Sequence, residues 1–290
     1  MRAKSIRFLA VAATAAVVLA GCSSSKQDGG AGSGDKRTLI VKGSDTMVQL
    51  AQAWAEEFMK KHPDIMVTVT GGGSNTGIAA LMNNGTDICN SSRAIKEEEL
   101  ASAKQKGIDV QEFVVAQDAL SVVVHPDNPI SELTLAQLKD IYTGKITNWS
   151  AVGGPDQRIV LNSRETSSGT YVFFQEHVLG KGVPFADNTM LQPATSQIVQ
   201  TVAQDKGGIG YVGLGYVTDK VKSLRLKKDD ASPAVEGTIE NVLNGAYPLA
   251  RPLYEYTAGA PSGVAQQWLD WVRGPEGQEI VKRLDFVPIK

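Results

Sequence analysis

The chain has 290 residues, with 29 Lys and Arg against 31 Asp and Glu for a net charge of -2, and a pI of about 6.0. That balance offers no basic field to nucleic acid or to an anionic membrane surface, so any anion site must work locally, through oriented amides, hydroxyls and one or two Arg residues. Two cysteines, Cys22 and Cys89, leave no internal disulfide framework, and the three histidines, His62, His125 and His177, have no metal-ligand spacing.

The N-terminus reads as an export signal over residues 1–21: Arg2, Lys4 and Arg7 precede the apolar run Phe8 to Ala20, which is short for a bilayer span. Leu19-Ala20-Gly21-Cys22 resembles the lipobox of bacterial lipoproteins, which implies cleavage before Cys22 and a diacylglyceryl group on its sulfur. Several acyl chains on one residue suffice for stable anchoring, so the expectation is a chain anchored to a membrane without spanning it. Residues 22–36 add only Ser, Gly, Lys, Asp and their like, a composition that reads as a flexible tether.

From Arg37 onward the composition is that of a globular α/β protein. Thr38 to Val41 reads as a strand, Gly43-Ser44-Asp45-Thr46 as a loop, and Met47, Leu50, Trp54 and Phe58 as one apolar stripe of a helix that His62-Pro63 stops. Ile65 to Val69 is a second strand, Gly71 to Gly77 a second loop and Ile78 to Met82 a short helix. Asp87 to Cys89 forms a third strand, Asn90-Ser91-Ser92-Arg93 a third loop, and Glu97 to Lys106 a charged helix. Phe113 to Val115 and Leu120 to Val124 read as two strands on either side of Asp118. A turn at His125 to Pro129, a helix at Leu135 to Tyr142 and a loop to Gly154 follow. The strand Ile159 to Leu161 leads into Arg164-Glu165-Thr166-Ser167-Ser168-Gly169-Thr170 and a helix over Tyr171 to Leu179 ended by Gly180. Ile198 to Asp205 is helical, Gly207 to Val217 a glycine-rich strand pair, Arg251 to Tyr256 an extended return, and Gly263 to Arg273 and Gln278 to Leu284 closing helices. Such alternation predicts a mostly parallel sheet with ligand loops beyond the strand ends.

Loops rich in Ser, Thr and Gly thus recur between a strand and a helix at Gly43 to Thr46, Gly73 to Gly77, Ser91 to Arg93 and Arg164 to Thr170. One such loop is an ordinary cap. Distributed over both halves of the chain, they can surround a tetrahedral anion with neutral donors, and Arg164 adds a planar fork suited to two of its oxygens. Gly208-Ile209-Gly210-Tyr211-Val212-Gly213 matches the dinucleotide fingerprint in letters, but no helix is expected after it, and Gly71 to Gly77 lacks the Lys of a nucleotide P-loop. Ser168 lacks a nucleophile elbow and a nearby His, so its hydroxyl reads as a donor. Cys89, after Ile88, reads as a buried small hydrophobe. Neither a cofactor nor a metal is expected.

On these motifs the chain resembles the phosphate-binding protein of the phosphate-specific ABC transporter, the PstS family, over most of its length. The element Arg164 to Thr170 is similar to the family's Arg-x-x-x-Ser-Gly-Thr, implying that Arg164, Ser168, Gly169 and Thr170 contact phosphate. KGSDT implies Thr46 and Ser44, and GGGSNTG implies Ser74; LKDIYTGKITNWSAVGG and ARPLYEYT resemble family segments read as structural. Where better-known members carry an Asp that accepts the ligand's proton, this chain has Ser92 followed by Arg93, both taken as ligand-binding, so the proton acceptor falls to Asp118 or else to Asp45.

The resemblance implies a two-lobed periplasmic-binding-protein-like (type II) fold, with residues 37–118 plus 251–290 as one lobe and 119–250 as the other. It also implies a monomeric, exported, lipid-anchored and non-enzymatic protein that binds inorganic phosphate in the interlobe cleft and delivers it to ABC permease subunits. Another tetrahedral oxyanion, sulfate or molybdate, and hydrolysis of a phosphate ester remain as alternatives.

Overall fold

A computed structural model describes residues 37–289. The expected signal peptide, lipidated Cys22 and tether lie outside the described residues. The fold begins with β1 (Arg37–Gly43), a 3-10 turn (Asp45–Met47), α1 (Val48–Lys61), β2 (Ile65–Thr70), α2 (Ser74–Leu81), β3 (Ile88–Ser91) and α3 (Glu97–Gln105). After β4 (Val110–Val124) come β5 (Glu132–Thr134), α4 (Leu135–Tyr142), a 3-10 turn (Trp149–Val152), β6 (Val160–Arg164) and α5 (Gly169–Phe174), which a π-helical turn (Gln175–Leu179) extends. Next are β7 (Met190–Gln192), α6 (Thr195–Gln204), β8 (Gly208–Gly213), a 3-10 turn (Leu214–Tyr216), β9 (Lys222–Ser223), β10 (Arg225–Lys227) and α7 (Ile239–Leu243). The chain then returns through β11 (Ala250–Ala258) to α8 (Gly263–Arg273) and α9 (Pro275–Arg283).

The 9-stranded sheet runs β2-β1-β3-β11-β4-β8-β6-β7, with β9 also on β4. Its two ends are parallel, β2-β1-β3 and β8-β6-β7, but every pair made by β11 or β4 within it is antiparallel, so the sheet is mixed where a mostly parallel one was expected. The reason lies in β4. It is one strand of 15 residues, not two pieces broken at Asp118. Its first stretch, Val110 to Ala119, pairs with β11, and the remainder, Leu120 to Val124, pairs with β8. A single strand therefore threads both halves, and β11 returns beside it with Arg251 opposite Asp118.

Packing follows the helical and strand periods. Leu50, Trp54 and Phe58 of α1 are buried along one face, as is Ala51, and Trp54 and Phe58 meet Trp268 of α8 edge-on. Fully burying such side chains stabilises the fold by about 1.5–3 kcal/mol each. A second cluster gathers Leu138, Tyr142, Trp149, Phe174 and Tyr211 from the other half. Ile198 and Val202 of α6 join the first cluster, so the two cores do not divide cleanly by sequence. At α4, Thr134 and Gln137 exchange the reciprocal hydrogen bonds of a capping box.

Helix starts lie earlier than propensity suggests. α2 begins at Ser74, inside the segment read as a loop, because Gly73 takes a φ of 100° as its N-cap. α5 begins at Gly169 because the Ser168 hydroxyl accepts from the amides of Thr170 and Tyr171. The glycine-rich segment forms the single strand β8 and a 3-10 turn in place of a strand pair, since the Leu214 amide turns from the ladder to Asp118 Oδ1. That segment lacks the helix a dinucleotide fingerprint needs. His62 packs on Phe58, and His177 stacks on Phe173. Cys89 is fully buried and burial pushes its thiol up, which leaves it inert. Among the described residues, no group of His, Cys, Asp or Glu could hold a metal ion.

Candidate functional site

Four segments that are far apart in sequence bring hydroxyls together at the strand ends. Thr46, in the turn after β1, lies with its Oγ1 2.7 Å from Thr170 Oγ1 in the first turn of α5. Ser92, just past β3, stands 3.4 Å from Thr170 Oγ1 and 3.4 Å from Ser74 Oγ at the start of α2. The Ser74 hydroxyl also accepts from the Ser92 amide at 3.1 Å. All four side chains are buried. The starts of α2 and α5 thus face one small volume, each with backbone N–H groups free of an intrahelical partner.

Glycine is required on both sides of that volume. A methyl on Gly169 would lie 2.3 Å from Ser74 Oγ and 2.9 Å from Ser92 Oγ, and one on Gly73 would lie 2.4 Å from the Ser167 carbonyl oxygen. Only bare backbone lets the two halves approach this closely. Ser168 does not join the hydroxyl contacts, because its oxygen caps α5. Ser44 is buried next to Thr46, and its hydroxyl has no partner among the described residues.

Arg164, at the end of β6, is almost wholly buried. Its guanidinium donates to the Gln192 and Pro193 carbonyls and to Thr195 Oγ1 at 2.6 Å, and it pairs with Asp45 Oδ2 at 3.2 Å across the two halves. Burial lowers its proton affinity while the Asp45 carboxylate raises it. Asp45 Oδ2 accepts from the Thr195 amide and hydroxyl as well. That oxygen therefore takes two hydrogen bonds and the Arg164 ion pair, and Thr195 Oγ1 relays between the two charged groups.

Asp118 and Arg251 form a second buried pair. Arg251 Nε and Nη2 donate to Asp118 Oδ2 at 3.2 and 2.9 Å, and its Nη1 donates to the Ser92 carbonyl at 3.1 Å. Burial pushes the Asp118 carboxyl up, and the Arg251 fork and the Leu214 amide oppose that push. Arg93 turns elsewhere: its N–H groups end on Glu99, Asn75 and the Ala94 carbonyl. Sequence reasoning missed Arg251, Thr195 and Asn75. The one available signal was an Arg inside a segment read as a strand, β11.

Residues 27–276 match the model of the PBP superfamily domain. Over 274 residues the chain is 35% identical to the phosphate-binding protein PstS of Pseudomonas aeruginosa, covering 89% of this chain and 84% of that protein. The chain belongs to the PstS family. The PstS of Bacillus subtilis is 33% identical over 257 residues, 87% of this chain and 81% of the relative. Among solved structures, a protein from Clostridium perfringens crystallised with bound phosphate aligns with a TM-score of 0.80 at 34% identity, over 88% of this chain and all of the other. An ABC-type phosphate transport receptor from Vibrio cholerae aligns with a TM-score of 0.71 at 26% identity, over 87% of this chain and 100% of its own. These neighbours share the two-lobed α/β architecture of this PstS-family chain.

Proposed function

We propose that this chain binds inorganic phosphate non-covalently between its two halves and delivers it to the permease of an ABC importer. The observation that carries the reading is the convergence of the Thr46, Ser74, Ser92 and Thr170 hydroxyls at two helix starts, with Arg164 tied to the same turn through Asp45, the residue before Thr46. Hydroxyls rotate freely and can turn their protons toward an anion, replacing the contacts they make with one another. The amides of α2 and α5 add fixed positive ends, and burial strengthens each bond. The names of the relatives and the phosphate in the Clostridium perfringens structure support the choice of anion.

Within this reading, Thr46, Ser74, Ser92, Gly169 and Thr170 contact the ligand directly. Ser44 offers its spare hydroxyl, Ser168 shapes the α5 start, and Arg164 supplies charge. Asp118 is the first candidate proton acceptor for a phosphate that still carries one, because its Oδ1 accepts only the Leu214 amide and both of its oxygens lie against Gly213 together with the Thr46 side chain. Residues 37–118 plus 251–290 act as one lobe and 119–250 as the other, with β4 and β11 as the crossing strands. Among the described residues no helix is long and apolar enough to cross a membrane, and a lipid on Cys22 would hold the exported chain beside its permease. A soluble monomer is expected once that anchor is removed.

Calorimetric titration with phosphate and then sulfate tests the reading. Tight phosphate binding is expected, with sulfate ignored for want of a proton to share. Arg164→Ala should weaken phosphate binding at least tenfold, and unchanged affinity would remove Arg164 from the site.

A further inference from the structure

Arg93 stands beside the site and spends every donor it has. Nη1 donates to Glu99 Oε2 and to the Ala94 carbonyl, both at 2.8 Å. Nη2 donates to Glu99 Oε1 and to Asn75 Oδ1, both at 2.6 Å, and Nε donates to the same Asn75 oxygen at 3.1 Å. A guanidinium has five N–H groups and no acceptor. None is left for an anion.

The consequence falls on Asn75. Because Arg93 can only donate, it fixes the carboxamide with Oδ1 toward the guanidinium and Nδ2 away from it. Nδ2 then donates across the cleft to the Thr166 carbonyl at 3.0 Å, and the Asn75 amide donates to the Ser167 carbonyl at 3.0 Å. Asn75 directly follows Ser74, and Thr166 and Ser167 directly precede Ser168. The cross-cleft bonds therefore join the two loops that carry Ser74 and Thr170, one residue from Ser74 on one side and three and four residues from Thr170 on the other. Arg93 is buried and Glu99 holds both of its terminal nitrogens, so the unit Glu99–Arg93–Asn75 is rigid on its own side of the cleft.

We infer that Arg93 is a positioning residue for a latch: it orients Asn75 so that the carboxamide grips the Thr166–Ser167 backbone and holds the two halves together over the bound anion. This inference rests on the binding reading above, but it assigns Arg93 a part in closure and not in ligand contact. A latch of this kind governs escape more than entry, since its two bonds exist only when the halves meet.

The test is a double-mutant cycle on the lipid-free protein, with phosphate association and release followed by stopped-flow and thermal melts run alongside. Asn75→Ala and Arg93→Ala are each expected to speed phosphate release about tenfold with association little changed. The double variant should release no faster than Asn75→Ala alone, because Arg93 acts through that residue. Additive effects would mean that Arg93 reaches the ligand by another route, and unchanged release in Arg93→Ala would mean that it orients nothing; either result overturns the latch. Should Arg93→Ala melt early, Arg93→Lys serves instead: it keeps a cation for Glu99 but has no planar fork to hold Glu99 and Asn75 together, and it must still speed release. Wild-type protein that fails to bind phosphate at all would sink the binding reading, an outcome separate from these. In that case small-angle scattering of the variants still reads the latch, as a loss of compactness relative to wild type.

Discussion

The two buried carboxylate–arginine pairs differ in what they join. Asp118 and Arg251 face each other as register partners on adjacent strands, and their side chains are 0% and 1% exposed. They tie β4 to β11 where both strands pass between the halves. Asp45 and Arg164 come from opposite sides of the cleft, and the Asp45 side chain keeps 19% of its exposure. The first pair is fixed by the strand ladder whether or not the halves touch. The second joins segments that no shared ladder holds side by side. Similar chemistry thus ties neighbouring strands in one place and segments from distant parts of the sheet in the other, and the difference lies in which backbone each partner hangs from.

Removing half of the scaffold pair should do the most damage. Asp118→Asn leaves the Arg251 charge buried beside a neutral amide, and breaking a buried pair in this way costs about 3–5 kcal/mol. Urea denaturation should show that loss as a fall in midpoint, while the slope with denaturant stays the same. A loss below about 1 kcal/mol would mean that the ladder holds the crossing without the pair.

Glu255 sharpens the comparison because it is a buried carboxyl with no cation paired to it among the described residues. It sits on the same strand as Arg251, is fully buried, and accepts only from Trp268 Nε1, at 3.1 and 3.0 Å to its two oxygens. Burial pushes it up to about 8 from an ordinary value of 4.5, with the Trp268 bond pulling weakly the other way. The folded chain keeps this proton up to about pH 8, whereas the unfolded chain releases it near 4.5. Between those values the folded state binds more protons, so stability falls as pH rises, by about 1.4 kcal/mol per pH unit for this group. Below that window both states are protonated and the group costs nothing. Glu255→Gln should remove this share of the slope, so that the variant gains on wild type as pH rises from about 5 to 7.5. Parallel profiles for the two proteins would show that Glu255 is ionised in the fold.

The parts of the molecule legible in sequence are those whose cause is local. The α1 stripe of Leu50, Trp54 and Phe58 follows from the helical period, and the Arg164 to Thr170 motif is contiguous. Starts of α2 and α5 were harder, because Gly, Ser and Thr read as loop residues until a cap is known to hold them. The Asp118–Arg251 pair was out of reach: its partners are 133 residues apart, and only the register of β4 on β11 brings them together. Asn75 was hidden for the same reason, since its partners at Thr166 and Ser167 belong to the other half. Ser92 and Arg93 were read together because they adjoin, yet the Ser92 hydroxyl enters the cluster while the Arg93 fork runs to Glu99, six residues on.

The smallest effect is expected from the cleft pair. Asp45→Asn keeps a carbonyl oxygen that can still accept from Thr195, and Arg164 retains the Gln192 and Pro193 carbonyls and Thr195 Oγ1. The strand ladder and both apolar clusters are untouched. What disappears is the counter-charge of a buried guanidinium that keeps its three hydrogen bonds, and the lost carboxylate was itself 19% exposed, so the stability loss should be about 1–3 kcal/mol, below that of Asp118→Asn. The same urea titration, run on both variants in one buffer, provides the comparison. Equal losses would mean that the Asp45–Arg164 contact is as much a part of the scaffold as the strand pair, and that the halves do not separate without unfolding.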